Sequence, residues 1–375
     1  VLEPAAETYE AAGDMPGLAR VTAAVGWTRS MLGASPADTV RITALLERLE
    51  QENASPSPPL AALYLALGRL LFIAGHYDAS LQASERAAAL ARAQGDDRNL
   101  ALAEENRVNL LQMLGRLGDA LRVGQEMLPL AEQVGNLDGL WGIHNDLAYI
   151  HVLRADFARA RRSFDLALTL AEQTGNATWV LFTLAVRSWI AVLAGDWPSA
   201  HADLDRAASL SRQADPSWYS TYLPTFQGRL SLAEGEWQAA AVSAQEAIGL
   251  SERSGDLQAL RWAATLMAEI EIREGRPNAA RDRLIPLLDR PGLAECDVTM
   301  FLPILAWAYL ELDQADLAAE TAKQAIARAR PEDMRLVLVE ALWVRVMVAL
   351  RQERWEEAAR SLDEGIALAR AIPYP

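Results

Sequence analysis

Four histidines, His76, His144, His151 and His201, are the residues of this 375-residue chain best suited to metal ligation or to proton transfer near neutral pH. His144 and His151 stand seven apart, so one helix face would carry both. No cysteine or further histidine joins them at ligand spacing, and they read as surface or groove side chains. Lys323 is the sole lysine and follows an alanine in "ETAKQAI", so the phosphate loop GxxxxGK[ST] is absent. No GxSxG elbow and no HExxH motif occurs either. Carboxylates abound, but no pair of them is placed by the sequence across a cleft. The chain therefore reads as a non-enzyme with no cofactor, no metal and no catalytic residue.

Bulk properties narrow the partners. A net charge of −15 argues against nucleic acid, whose binding rests on basic patches that neutralise phosphate. No run of 18 uncharged apolar residues is present, which excludes a membrane span. One cysteine, Cys296, precludes an internal disulfide and points to a reducing, cytoplasmic setting. The opening "VLEPAAETYEAAGD" has neither an initiator Met nor a signal-peptide layout, which leads us to expect a fragment of a larger protein.

What must position any functional side chain is a repeat. A turn-forming corner falls at Gly75, Gly115, Ala155, Gly195, Gly235, Gly275, Asp313 and Glu353, at steps of 40 with one of 38. Two residues later come Tyr77, Leu117, Phe157, Trp197, Trp237, Pro277, Ala315 and Trp355, expected to wedge between the helices on either side. Five after the corner the residue is small, Ser80, Ala120, Ala160, Ala200, Ala240, Ala280, Ala318 and Ala358. Seven before it stand Gly68, Val108, Ala148, Ser188, Gly228, Ala268, Ala306 and Val346, again mostly small, where helices must approach closely. A second set of breaks, Gly95-Asp96, Gly135-Asn136, Gly175-Asn176, Asp215 and Gly255-Asp256, ends each unit. Apolar residues recur at helical spacing between the breaks, so each unit is two helices. A less regular unit precedes these, with Gly26 seven before Gly33. The "ASPSPPL" stretch at 54–60 reads as a short extended joint, and residues 2–12 as the second helix of a truncated unit.

The stretch "LALGRLLFIAGHYDASLQASERAAAL" at 65–90 resembles a tetratricopeptide repeat, in its order small residue, Gly, aromatic, Ala. The resemblance covers nearly the whole chain. It implies an all-α, right-handed solenoid superhelix of about nine units: a single array over 1–375, irregular over 1–53 and with eight regular units over 59–375. Val108, Val346, Pro277, Ala315, Asp313 and Glu353 depart from the pattern, so the last three units are expected to pack less regularly. The period of 40 and unit ends such as "AEQVGN" and "SERSGD" are similar to the long repeats of bacterial STAND-class signalling ATPases. In their MalT-like branch such an array is the sensor arm, which implies ATPase and effector domains outside this chain.

In that architecture first helices line the concave face. The column six before the corner reads Arg69, Asn109, Tyr149, Trp189, Arg229, Glu269, Trp307 and Met347, varied where a core column is monotonous. One turn earlier lie Glu105 and Asn145, and another turn earlier Phe182, Tyr222 and Trp262. Together these predict a groove with aromatic walls and polar groups along it, a surface suited to a protein or peptide ligand. The arginines Arg69, Arg107, Arg187 and Arg229 would either receive a carboxylate of that ligand or pair with Glu104, Glu105 or Glu269. Two other readings stay open. A small-molecule inducer would find its polar groups concentrated at Asn109, His144, Asn145 and Asp146, and a self-association scaffold would use the array itself.

Overall fold

A computed structural model describes residues 2–33, 35–51, 57–213 and 218–372. Most α-helices among them follow from the punctuation above, the starts of α16 and α18 excepted. After α1 (Leu2–Ala12), nine helix pairs succeed one another: α2 (Met15–Ser30) with α3 (Pro36–Gln51), α4 (Pro58–Ile73) with α5 (Tyr77–Gln94), and α6 (Asp97–Met113) with α7 (Leu117–Gln133). Next come α8 (Leu137–Leu153) with α9 (Phe157–Gln173), α10 (Ala177–Leu193) with α11 (Trp197–Ser211), and α12 (Tyr222–Ala233) with α13 (Trp237–Ser254). The last three pairs are α14 (Leu257–Arg273) with α15 (Pro277–Leu284), α16 (Cys296–Glu311) with α17 (Ala315–Ala329), and α18 (Arg335–Arg351) with α19 (Trp355–Ala371). The molecule is an all-α solenoid of tetratricopeptide-like repeats, with no strand among the described residues. Of the "ASPSPPL" joint, Pro58–Leu60 already belong to the first turn of α4, and 54–56 lie outside the described residues, as does the break at Asp215.

The corner residue adopts left-handed backbone in every regular unit, with φ between 55° and 83°. Ala155, Asp313 and Glu353 take that conformation too, at φ 55°, 56° and 55°, although a Cβ there costs roughly 1–2 kcal/mol. The corner is thus the same in the units whose sequence departs from the pattern. The Gly-Asp and Gly-Asn dipeptides divide their labour. Glycine ends one helix in the left-handed region, at Gly95, Gly135, Gly175 and Gly255. The following Asp96, Asn136, Asn176 or Asp256 then caps the next helix by accepting the backbone N–H three residues on. At the small columns the helices meet. Ala120, Ala160, Ala200, Ala240, Ala280 and Ala318 are wholly buried, and Ser80 donates to the carbonyl of Gly68 at 2.6 Å across the crossing.

Helix α15 is short because Pro286, in the 3-10 turn Ile285–Leu287, cannot donate to the turn before it. The connection after it runs irregularly to Cys296. Asp289 pairs with Arg328 at 2.6 Å, and Glu295 with the buried Arg261 at 2.5 Å, which fixes that connection in place. From there it reaches back to the start of the chain. Arg290 meets Asp78 at 2.6 Å, and Gly115 abuts the carbonyl of Ala294. Gly33 likewise abuts the backbone of Ser254, Gly75 abuts Leu257, and Glu332 receives Gly118 N–H at 2.9 Å and Arg154 Nε at 3.1 Å. Corners of early units therefore rest on ends of later units, and the spiral closes on itself along a seam.

The seam corrects one expectation. Tyr77, Leu117 and Phe157 are buried at their corners, but Trp197, Trp237 and Trp355 are 40%, 42% and 64% exposed. The wedge is buried only where a later turn of the spiral lies over the corner. Past Phe157 no later turn covers it among the described residues.

Candidate functional site

The first helices converge on the axis of the spiral, and aromatic rings fill that axis midway. Trp262 of α14 is the hub. It stacks on Tyr149 of α8, with centroids 5.3 Å apart and planes at 8°. Tyr222 and Phe226 of α12 meet it edge-on at 5.4 and 5.7 Å, and Trp189 of α10 lies tilted at 6.2 Å. Phe182 extends the chain of rings through Tyr222 at 5.2 Å. Aromatic pairs of this geometry stabilise beyond the area they bury. Tyr149, Trp189, Tyr222 and Trp262 are all between 1% and 7% exposed. The aromatic walls expected along an open groove are thus, at these four residues, mutually packed core.

The plug leaves a cavity on each side, and no residue lines both. The smaller, of about 80 Å³, gathers Arg69, Glu105, Asn109, Asn145 and Phe182 with Asp146 and Tyr219. Its polar groups are mostly satisfied from within. Asn109 donates to Asp146 at 2.7 Å, Asn145 donates to the carbonyl of Trp141 at 2.9 Å, and Arg69 donates to Ser30 Oγ at 2.9 Å while covering the Trp27 ring. Burial pushes the carboxyls of Asp146 and Glu105 up, Glu105 to about 7.

The larger cavity, of about 430 Å³, is walled by α8, α10, α12, α14, α16, α18 and the end of α19. Trp189, Arg229, Trp262 and Glu269 line it. Met300, Ile304, Leu193 and Leu232 supply apolar wall; Arg273, Asp297 and Glu340 add charge. Trp307 stands just behind, its ring under Arg273 at 5.6 Å and edge-on to Trp343 at 5.3 Å.

Of the twelve residues expected in the groove, five thus meet in the smaller cavity and four in the larger. Tyr149 and Tyr222 lie in the plug, and Trp307 behind the wall. Met300 and Glu340 escaped the sequence reading although their signal was present. The column thirteen before the corner, followed as far as Trp262, continues through Met300 and Glu340 in the last two units.

The arginines divide clearly. Arg107 pairs with Glu104, and Arg187 is held by both Asp203 at 2.6 Å and Asp165 at 2.7 Å. Among the described residues Arg229 has no such partner; it lies over the Trp189 ring at 5.6 Å, and burial depresses its pKa. His144 and His151 are half-buried, with pKa values lowered by burial, and His201 meets Glu234 at 2.7 Å. Among the described residues no group of three metal-ligating side chains comes together, and no helix is long and apolar enough to cross a membrane.

No family model matches this chain, and no curated protein matches it. Solved structures do. The crystal structure of a Rap protein complexed with competence and sporulation factor superposes with a TM-score of 0.60. It is 15% identical over 93% of this chain and 98% of that one. The apo form of the quorum sensor NprR from B. thuringiensis gives 0.52, at 14% identity over 96% and 99% of the two chains. The fold is theirs. At such identity the likeness extends to the path of the helices and not to the residues in the cavities.

Proposed function

We propose that this solenoid binds a short peptide or protein segment in its larger cavity and serves as the recognition arm of a bacterial signalling protein. The observation that carries the reading is the span of the lining: about 430 Å³, built from the first helices of successive units. Ligand pockets usually run to roughly 300–1,000 Å³, and a wall drawn from many units suits an extended ligand better than a compact one. The inducer site at Asn109, His144, Asn145 and Asp146 is the weaker reading, since His144 does not line the cavity that the other three share. Its cavity is about 80 Å³ and its amides are already bonded internally. The two similar structures support the proposal in kind, one being complexed with a signalling factor and the other a quorum sensor. Attachment to a STAND-class ATPase, and a cytoplasmic location, belong to the same proposal and rest on the repeat signature alone.

The test is retention of short peptides from a randomised hexapeptide pool by the immobilised protein. Thr265 lines the cavity, and Thr265→Phe narrows it. Retention by the parent chain, lost in a folded Thr265→Phe variant, is the expected result. Retention that survives the narrowing would move the ligand elsewhere.

A further inference from the structure

Among the charged side chains of the larger cavity, most are already matched. Arg273 pairs with Glu269 at 2.6 Å, and Asp297 accepts the indole N–H of Trp262 at 2.9 Å. Arg229 and Glu340 are left over. The Nε of Arg229 is buried without an acceptor, and among the described residues neither side chain enters an ion pair or a hydrogen bond. Elsewhere in this chain enclosed arginines are paired, Arg261 with Glu295 and Arg328 with Asp289. Arg229 is half-buried, and a guanidinium partly withdrawn from water and left without a counter-charge is destabilising. Its place in a cavity wall is explained if the partner arrives from outside. Trp189 lies beneath it and holds the planar fork in one orientation.

Glu340 sits on α18, exposed to solvent where it lines the cavity. Although the side chain reaches solvent, the protein packed around it pushes its carboxyl up to about 7, Glu269 adding to the rise and Arg229 opposing it. Arg229 and Glu340 thus feel each other's charge without touching.

We propose that the cavity selects a peptide segment bearing both charges, a carboxylate gripped by the fork of Arg229 and a basic group held by Glu340, with apolar side chains against Leu193, Leu232, Met300 and Ile304. This rests on the larger cavity being the peptide site. The carboxylate is either an acidic side chain or the peptide's C terminus, and the basic group a Lys or Arg side chain or the N terminus.

The experiment passes three hexapeptide pools over the protein: randomised with free termini, randomised with acetylated and amidated ends, and a capped pool lacking Asp, Glu, Lys and Arg. The parent chain should retain the first, enriching peptides that carry both charges, and should leave the capped neutral pool in the flow-through. Acid enrichment in the capped random pool assigns the carboxylate to a side chain, and its loss there assigns it to the C terminus. Arg229→Gln should weaken a selected peptide at least tenfold, a loss of about 1.4 kcal/mol or more, and erase only the carboxylate preference. Glu340→Gln should erase only the basic preference. Should Arg229→Gln fail to fold, Glu340→Gln still decides, because it replaces a solvent-facing carboxylate by its isostere. Equal retention of the capped neutral pool, or variants with unchanged preferences, would overturn the charge assignment while leaving peptide binding intact. A folded parent chain that retains no pool at all would overturn peptide binding and this inference with it.

Discussion

Tyr149 and Trp262, almost three repeats apart in sequence, lie face to face with ring centroids 5.3 Å apart and planes at 8°. No contact between neighbouring units could produce that pairing; the spiral must tighten until first helices meet across its axis. Trp262 also touches Trp189, Tyr222 and Phe226. Replacing it by Ala is therefore expected to destabilise the fold by about 3–5 kcal/mol, the usual range for a buried aromatic. A chemical denaturation curve measures this. A loss under about 1 kcal/mol would mean that the plug is not structural.

The corner tryptophans should behave oppositely to their repeat-mates. Trp197→Ala and Trp237→Ala remove rings that are 40% and 42% exposed and should cost well under the value for Tyr77→Ala, whose ring is buried against Phe72. Expected figures are about 1 kcal/mol or less against about 3–5 kcal/mol. Equal melting temperatures for the three variants would contradict the covering of early corners by the later turn.

Glycines at the seam and away from it make a further pair. A Cβ on Gly115 would come 2.4 Å from the carbonyl oxygen of Ala294, whereas one on Gly135 meets nothing within 4 Å. Both residues have positive φ, 71° and 64°. Gly135→Ala should carry only the backbone penalty of roughly 1–2 kcal/mol. Gly115→Ala should lose more, because the seam has to open. A comparison of the two unfolding free energies checks this, and a larger loss at Gly135 would refute the seam.

Stability should also fall as pH rises through neutrality. Burial pushes Asp256 up to about 7 and Asp297 to about 6, with the Ala259 N–H opposing it at the first and Arg261 at the second. Their unfolded values lie near 3.9. Between those limits the native state holds protons that the unfolded chain has released, so unfolding becomes easier with increasing pH. Glu105 and Glu340, both raised to about 7, act in the same direction. His144 and His151, lowered by burial, act against it. We expect the melting temperature to decline from about pH 5 to about pH 8, and Asp256→Asn with Asp297→Asn to flatten the decline. Asparagine keeps the oxygen that accepts from Ala259 N–H and from the Trp262 indole. A melting temperature that climbs over this interval would reverse the assignment.

The helices and their corners were legible because local chemistry writes them. A left-handed corner with an Asp or Asn cap beside it needs only neighbours in sequence, so Gly175-Asn176 announces its role without tertiary knowledge. The lining of the axis was legible in part, since the columns that carry Trp189, Arg229 and Trp262 follow from the period. How far the spiral tightens was not. That depends on small rotations between units, summed over several of them, and on an irregular connection at residues 288–295 for which the repeat has no precedent. Those rotations decide whether Tyr149 faces water or Trp262. They also decide whether Trp197 is covered like Tyr77 or left bare.

The closure between Gly33 and Ser254, and between Asp78 and Arg290, bears on how such a chain acquires its structure. An open repeat array can grow from any unit outward, each new pair resting on the last, and can fray from its ends without disturbing its middle. Here the opening units also lean on segments made much later. During synthesis from the N terminus they emerge with one flank unsupported, and that flank is sealed only when the connection before α16 has arrived. Loop closure over such sequence separations slows folding, but it ties distant units into one cooperative transition. Loss of the first helices should then be felt at the far end of the chain.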